Sequence, residues 1–248
     1  MKYFVHVADA SVLLNNIVSK DYLTHRIIGG DINGKESKGK FYLAESDFES
    51  LRRMLFVRDF SYASKIEMRI DYLDLNKTKI KGSIIDIGGG GAGVIEKKFG
   101  KNVIAVDKSL RELEETKNIS LKTVSDGRFL PFRNESFDNG TAFFAFMYMP
   151  VKTRIEVMKE LYRVLRNKGR LYIFEPRIIC GNYKPITLLT VNLKIKVNSD
   201  VVSTGYGSIL AKGGQTIAHF VKIAKISGFA LEKSENKKSY LSLVFKKI

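Results

Sequence analysis

Two acidic residues and a run of glycines have the types and the spacing that suit a nucleotide ligand. Residues 84–87, IIDI, form a short apolar run around Asp86 and lead into the glycine-rich segment 88–93, and a second apolar run ends at Asp107. Glycines let a backbone approach a ligand closely, because no side chain intervenes. An acid that ends the next strand, about 20 residues further on, can accept hydrogen bonds from both hydroxyls of a ribose. The sequence therefore predicts a ligand that contains a nucleoside.

The glycine-rich segment does not by itself identify the ligand. Gly88, Gly90 and Gly93 satisfy the spacing GxGxxG, which is typical of NAD-binding domains. An NAD-dependent oxidoreductase is therefore one alternative, and a glycine-rich turn that binds nothing is another. Residues outside the turn have to decide between them.

The elements that position these residues are predicted by the alternation of apolar runs and helical patterns in residues 82–176. Strands separated by helices indicate parallel βαβ units and a doubly wound sheet. The clearest helix begins at Val151, where apolar residues recur at helical spacing. A further helix over about 216–227 and strands at about 230–233 and 240–246 follow. We expect an α/β, Rossmann-like fold whose seven-stranded sheet is mostly parallel with an antiparallel last strand.

Residues 1–80 lie outside this pattern, and we expect them to form a helical extension that acts as a lid. The longest predicted helix of the extension runs from about Asp47 into the segment RIDYLDL, residues 69–75. His25 and Arg26 belong to the extension and are interpreted as exposed polar surface.

The catalytic domain is predicted to span residues 81–248 and to carry an insertion at about 178–212. Within the insertion, residues 191–197 alternate apolar and polar side chains. This alternation predicts an extra strand with one basic face, which includes Lys194 and Lys196.

Composition sets limits on the function. The chain has 248 residues, 44% of them hydrophobic, and a net charge of +16. Residues 177–248 hold 12 basic and 3 acidic residues, so much of the positive charge lies at this end. Cys180 is the one cysteine and the three histidines are scattered, so we expect neither a disulfide nor a metal site. No apolar run reaches the roughly 20 residues of a membrane-spanning helix, and we expect a cytoplasmic protein without a membrane span.

Motifs downstream of the turn resemble those of the class I, type 11 family of S-adenosylmethionine (SAM)-dependent methyltransferases, over roughly residues 84–176. The turn is similar to the family's DxGxGxG, with Ala92 at the third glycine. Residues 125–138, SDGRFLPFRNESFD, look like the family's acid followed by LPF and SFD. Residues 160–171, ELYRVLRNKGRL, look like its ExxRVLkpGGxL, with Asn167 in place of the proline. Three ordered motifs are harder to obtain by chance than one glycine-rich turn.

This resemblance implies SAM as the cofactor and assigns roles by position. It implies one set of cofactor residues: Asp86, Gly88 and Gly90 for the methionine moiety, Asp107 for the ribose, and Asp126 with the adjacent backbone at Gly127 for the adenine. Near the methyl group, the nominated polar participants are Tyr148, after the fourth strand, and Glu175, at the end of the fifth. Each also has a simpler interpretation, Tyr148 as a packing residue and Glu175 as an acid that orients a loop.

Three hypotheses about the acceptor stay open. The main hypothesis is a small-molecule acceptor, such as a lipid or quinone precursor. Methylation of base amino groups is disfavoured, because no tetrapeptide like NPPY follows the fourth strand, where residues 146–150 are FMYMP. RNA is the alternative, since the basic C-terminal end could attract phosphates. A protein that binds SAM without catalysis is the third. The sequence predicts no oligomeric state.

Overall fold

The fold is described by a computed structural model for residues 4–13, 20–28, 32–52, 64–178, 187–209 and 214–248. Cys180 lies outside the described residues. Within the described part of the chain, no helix combines the length and the apolar composition needed to cross a membrane.

Seven strands form the central sheet. They are β5 (Ile84–Ile87), β6 (Val103–Asp107), β7 (Leu121–Val124), β8 (Phe137–Phe143), β9 (Leu165–Pro176), β12 (Phe229–Asn236) and β13 (Tyr240–Lys247). Their order across the sheet is β12-β13-β9-β8-β5-β6-β7. Strands β5 to β9 are parallel, whereas β13 is antiparallel to both of its neighbours. The prediction of a mostly parallel seven-stranded sheet with an antiparallel last strand is confirmed.

Two helices cover one face of this sheet, namely α6 (Val151–Val164) and α7 (Ile217–Ile226). The predicted apolar stripe of α6 is present, because Met158 and Leu161 are fully buried in the core of this face. Helix α7 begins after Thr216, whose hydroxyl accepts a hydrogen bond from the amide of His219 at 3.2 Å. A threonine in this position satisfies an amide that the first helical turn leaves unpaired. Both helices confirm the sequence prediction.

The opposite face is covered by helix α4 (Val94–Phe99) and a second sheet. This sheet contains β4 (Ser64–Asp74), β10 (Thr187–Val197) and β11 (Asp200–Ile209), in the order β11-β10-β4. Alternate residues of β10 are buried against the central sheet, whereas Asn192 and Lys194 are exposed. The predicted extra strand with a basic outer face is therefore confirmed, and β11 is a partner that the sequence pattern did not predict. The short helix α5 (Leu110–Glu115) connects β6 to β7.

The predicted helix from Asp47 into residues 69–75 is wrong. Its start agrees with helix α3, described over Glu45–Arg52, but residues 64–74 form strand β4, which pairs in parallel with β10. The physical reason is a period of two, since Ile66, Met68 and Ile70 face the core while the residues between them are exposed. A partner strand more than 100 residues away satisfies the backbone of β4.

The N-terminal extension is not purely helical as predicted. It contains helices α1 (Val7–Leu13), α2 (Lys20–Ile28) and α3, and a three-stranded antiparallel sheet of β1 (Phe4–His6), β2 (Gly34–Ser37) and β3 (Lys40–Ala44). These elements enclose a small core of their own, in which Leu23, Leu43 and Leu51 are fully buried. Leu188 of β10 packs against that core. The extension therefore rests on the second sheet.

Candidate active site

The predicted cofactor residues meet where the strand order of the central sheet reverses. Strand β5 lies between β6 and β8, so the carboxyl ends of all three strands meet at one edge, the usual location of ligands in such sheets. The turn after β5 lies close to the end of β8, because a Cβ atom on Gly88 would lie 2.7 Å from the Cβ of Ala145. Gly88 also has a φ of +72°. Both facts require glycine at this position.

Asp107 and Gly90 are brought together at this edge. The Oδ1 atom of Asp107 accepts a hydrogen bond from the amide of Ser109 at 2.8 Å. A Cβ atom on Gly90 would lie 3.1 Å from Oδ2 of Asp107 and 2.5 Å from Cβ of Glu112. Burial raises the pKa of Asp107, and the nearby amides of Ser109 and Gly90 act in the opposite direction. The carboxyl group thus lies against the bare backbone of the turn.

Asp126 and Gly127 follow β7 at the same edge. Asp126 is held by Arg128, which donates from Nε to Oδ1 at 3.0 Å and from Nη2 to Oδ2 at 2.7 Å. Gly127 packs against α6 and β5, since a Cβ atom there would lie 3.3 Å from Val157 and 3.5 Å from Ile87. The sequence analysis missed Arg128, although its position two residues after the acid was an available signal.

A pair of buried acids lies below the glycine-rich turn. Asp86, at 2% exposure, accepts a hydrogen bond from the hydroxyl of Thr141 at 2.5 Å. Glu96, in the first turn of α4, is 1% exposed. Burial raises the pKa of Glu96 to about 7, and burial together with the charge of Glu96 raises the pKa of Asp86 well above its usual value. The sequence analysis missed Glu96, for which an acid among apolar residues of a short helix was the only signal.

Glu175 holds the turn at residues 146–148 that follows β8. It is fully buried, and its two oxygens accept hydrogen bonds from the amides of Phe146 at 2.6 Å and Met147 at 3.1 Å. Burial raises its pKa to about 8, against the opposing effects of Arg154 and of the two amides. This placement corresponds to the simpler interpretation, an acid that orients a loop.

Arg154 supports the same turn from α6. Its side chain is fully buried, and Nε donates to the carbonyl oxygens of Phe146 at 3.1 Å and Met149 at 2.9 Å. Its Nη1 atom lies 3.0 Å from Nε2 of His219. An arginine always donates, so this contact makes Nε2 an unprotonated acceptor. His219 is accordingly structural, and its pKa is lowered to about 4 by burial, Arg154 and Lys222.

Aromatic side chains from two sheets meet on the acceptor side. Phe144, directly after β8, has a φ of +52°, which is rare for a bulky residue and typical of constrained functional positions. Tyr206 of β11 stacks on it, with ring centroids 5.3 Å apart and planes 13° apart. Tyr148 is nearby and 38% exposed. The sequence offered no signal for Tyr206, because its partner lies 62 positions earlier in the chain.

Three buried acids of the site act on the pKa of Tyr206. Burial raises its pKa, and so do the charges of Tyr148, Asp86, Glu175 and Glu96, in that order. The inserted hairpin therefore brings a phenol that stays protonated to the edge where the predicted cofactor residues meet.

The N-terminal extension reaches this edge through Arg26. Its Nη2 atom donates to Oγ of Ser208 at 3.1 Å, and that hydroxyl donates to the carbonyl oxygen of Met147 at 3.2 Å. The interpretation of Arg26 as exposed surface is wrong, since the side chain is fully buried. The side chain of His25 lies outside the described residues. The extension, the inserted hairpin and the turn after β8 are thus joined at Ser208.

Comparisons with known proteins agree with this architecture. Residues 85–173 match the family model described as a methyltransferase domain. A protein of Pyrococcus horikoshii OT3 is 17% identical over 70% of this chain and 86% of its own, with a TM-score of 0.51. A SAM-dependent methyltransferase of Methanosarcina mazei is 16% identical over 70% of this chain and 95% of its own, with a TM-score of 0.50. At such identities the likeness concerns the fold alone. A search of curated proteins found no match.

The matched segment contains the glycine-rich turn, Asp107, Asp126 and the turn held by Glu175. Residues 85–173 therefore match the type 11 methyltransferase domain, which supports a SAM-dependent methyltransferase. This result decides between the two cofactors left open by the glycine spacing, in favour of SAM.

Proposed function

We propose that this enzyme transfers the methyl group of SAM to a small apolar or planar molecule, such as a lipid or quinone precursor. The stack of Tyr206 on Phe144 is the observation that carries the proposal. Through this stack, the ring of Tyr206 on the inserted hairpin lies against the turn after β8. Aromatic rings at this position favour a flat or apolar acceptor through burial and ring stacking.

The residues around the glycine-rich turn fit SAM. We propose that Asp107 binds the ribose, because its carboxyl group ends β6 and lies against the backbone of the glycine-rich turn at Gly90. We propose the remaining contacts as follows: Asp86, Gly88 and Gly90 for the methionine moiety, and Asp126 with the backbone at Gly127 for the adenine. Bound SAM supplies a methyl group that its sulfonium makes transferable.

The chain itself then has to hold the acceptor in line with that methyl group and keep water out. We propose that the N-terminal extension covers the acceptor side as a lid, with Arg26 and Ser208 joining it to the turn after β8. The raised pKa of Tyr206 keeps its hydroxyl protonated, so it positions the acceptor by donating a hydrogen bond. Tyr148 is the second polar group on this side, and Glu175 is a positioning residue for the turn.

RNA is a second candidate acceptor because of one surface. A groove of about 910 Å³ between β4 and the hairpin β12–β13 is lined by lysines and tyrosines, including Lys77, Lys79, Tyr72 and Tyr240. Basic and aromatic side chains together suit single-stranded nucleic acid. Part of this charge is neutralised within the groove, since Arg69 pairs with Asp71 at 2.8 Å. The groove therefore supports RNA more weakly than the aromatic stack supports a small molecule.

The decisive experiment measures S-adenosylhomocysteine (SAH) released from SAM with a panel of phenols, quinols and fatty acids, and with RNA. We expect turnover with a small acceptor, and we expect Tyr206→Ala to lower kcat/KM for it at least tenfold while SAM affinity changes less than twofold. Tyr206→Phe keeps the stack but loses the hydroxyl, so it should mainly raise the KM for the acceptor. Tyr72→Phe, in the groove, is the matched control and should behave as wild type. Methylation of RNA alone, weakening steeply with salt, would contradict the proposal.

A further inference from the structure

In the part of the chain that the structure describes, no basic side chain forms an ion pair with either of the two buried acids below the glycine-rich turn. Neither oxygen of Glu96 has a hydrogen-bond donor from another side chain or a neighbouring amide among the described residues. The acid that acts on Glu96 is Asp86: the charge of Glu96 raises the pKa of Asp86, and the interaction of the two carboxyl groups lowers that of Glu96. Two carboxyl groups can form a hydrogen bond only when one of them carries a proton. A buried pair of like charges cannot be fully ionised without a compensating cation.

Four strands contribute polar or charged groups that interact with the pair. Strand β8 supplies the hydroxyl of Thr141 to Asp86, and β6 supplies the negative charge of Asp107. Strand β7 supplies the positive charge of Lys122, whose Nζ atom donates to the carbonyl oxygen of Thr116. Strand β11 supplies the neutral phenol of Tyr206. The remaining contribution is the backbone amide of Glu96 itself.

The position of Glu96 connects the pair to the cofactor site. A Cβ atom on Gly89 would lie 2.6 Å from Oε1 of Glu96, so the carboxyl group lies directly against the backbone of the turn. The same turn carries Gly88 and Gly90, for which we propose contacts with the methionine moiety. That moiety bears an α-ammonium group, which is the kind of cation that the pair lacks.

We propose that Asp86 and Glu96 share one proton in the protein without cofactor and release it to solvent when the α-ammonium of the cofactor binds beside them. The pair then changes from one negative charge to two, and the ammonium keeps its three protons and supplies the compensating charge. Glu96 is in this way a second acid for the cofactor's amino-acid end. The inference rests on the proposed placement of SAM at this turn.

Calorimetric titration of the full chain with SAM and with SAH tests the inference. Each titration is performed at pH 7 in several buffers that differ in their enthalpy of ionisation, so that the slope gives the number of protons released. We expect the wild type to release between half a proton and one proton with either ligand, since both carry the α-ammonium. Affinity should then increase up to tenfold per pH unit while the pair still holds its proton.

Two variants separate the pair from other acids near the turn. In Glu96→Gln, the amide donates permanently to Asp86 and the like charge is absent, so proton release should fall below a third of the wild-type value and affinity should become nearly independent of pH. Glu112→Gln is the matched control, because Glu112 lies against Gly90 on the other side of the turn. It should leave proton release unchanged.

The carbonyl stretch of a protonated carboxylic acid provides a readout that needs no titration. The infrared spectrum of the wild type should lose this band when SAM is added. SAM binding to the wild type with no proton release and no change of the band would overturn the shared proton while leaving the proposed function intact. Absence of SAM binding would overturn the proposed function, and the inference with it.

Discussion

Removal of the Glu175 carboxyl should destabilise the protein by an amount that depends strongly on pH. Glu175→Ala leaves the buried amides of Phe146 and Met147 without their acceptor. Each buried donor left unpaired costs about 1–3 kcal/mol. We therefore expect the free energy of unfolding at pH 5 to fall by about 2–5 kcal/mol.

The difference in the free energy of unfolding between wild type and Glu175→Ala should decrease as the pH rises. Burial raises the pKa of Glu175 from 4.5 to about 8, so the folded protein binds this proton more tightly than the unfolded chain does. The stability that this proton contributes is complete below pH 4.5 and is lost through pH 8, by about 1.4 kcal/mol per pH unit. The alanine variant has no such loss. The difference in the free energy of unfolding between wild type and variant should therefore decrease by about 3 kcal/mol between pH 5 and pH 7.5.

Urea unfolding of wild type, Glu175→Ala and Glu175→Gln at these two pH values measures the effect. Glutamine keeps an acceptor for one of the two amides and does not titrate, so it should destabilise less at pH 5 and show the same narrowing. A difference in the free energy of unfolding that does not vary with pH would refute the claim that burial raises the pKa of Glu175. A glutamine variant that is as stable as wild type at pH 5, binds SAM normally and transfers no methyl group would place Glu175 in the chemistry.

Three further predictions follow from single contacts. Asp107→Ala should weaken SAM binding by about 1–3 kcal/mol in calorimetric titration, through the lost ribose contacts; unchanged affinity would contradict the proposed placement of the cofactor. Because the pKa of His219 is lowered to about 4 from 6.5, the free energy of unfolding of wild type should fall from pH 6.5 towards pH 4. That of His219→Gln should fall by about 1 kcal/mol less, a value reduced for the partial exposure of the ring. Equal pH dependence of the two free energies in urea unfolding would contradict this. Gly228→Ala should lower the free energy of unfolding by about 2–4 kcal/mol, since φ is +91° and its Cβ would lie 2.5 Å from the ring of Tyr162. Gly39→Ala, at φ +70° with open space around it, is the control and should cost only about 1 kcal/mol.

The central sheet could be predicted because its signals are local. Most strands of residues 82–176 are short apolar runs and helix α6 carries its own apolar stripe, so no distant partner is needed to identify them. The glycine-rich turn and Asp107 were found for the same reason, since a strand end and a turn are adjacent in the chain. The order of the strands then brought Asp86, Asp107 and Asp126 to one edge without further information.

Strands β4 and β11 of the second sheet and part of the site could not be predicted, because they depend on distant pairing. Strand β4 has alternating exposure, yet its apolar residues also suited a helix, and only pairing with β10 decides between the two. Tyr206 faces the site because β11 pairs with β10 and packs on Phe144. Glu96 was missed for a different reason. An acid in a short helix is normally exposed to solvent, and Glu96 is buried only because the folded glycine-rich turn covers it.

Because β4 pairs with β10, β4 has no partner strand during part of the protein's synthesis. Ser64 pairs with Thr187, so β4 leaves the ribosome with its partner still about 120 residues from being made. At about 5–20 residues per second, β4 waits roughly 6–25 s as an unpaired edge. An exposed edge of this kind is a template for pairing with other chains. Aggregation during expression should therefore depend on translation speed between these two segments, and fragments that end before residue 187 should be the ones that associate.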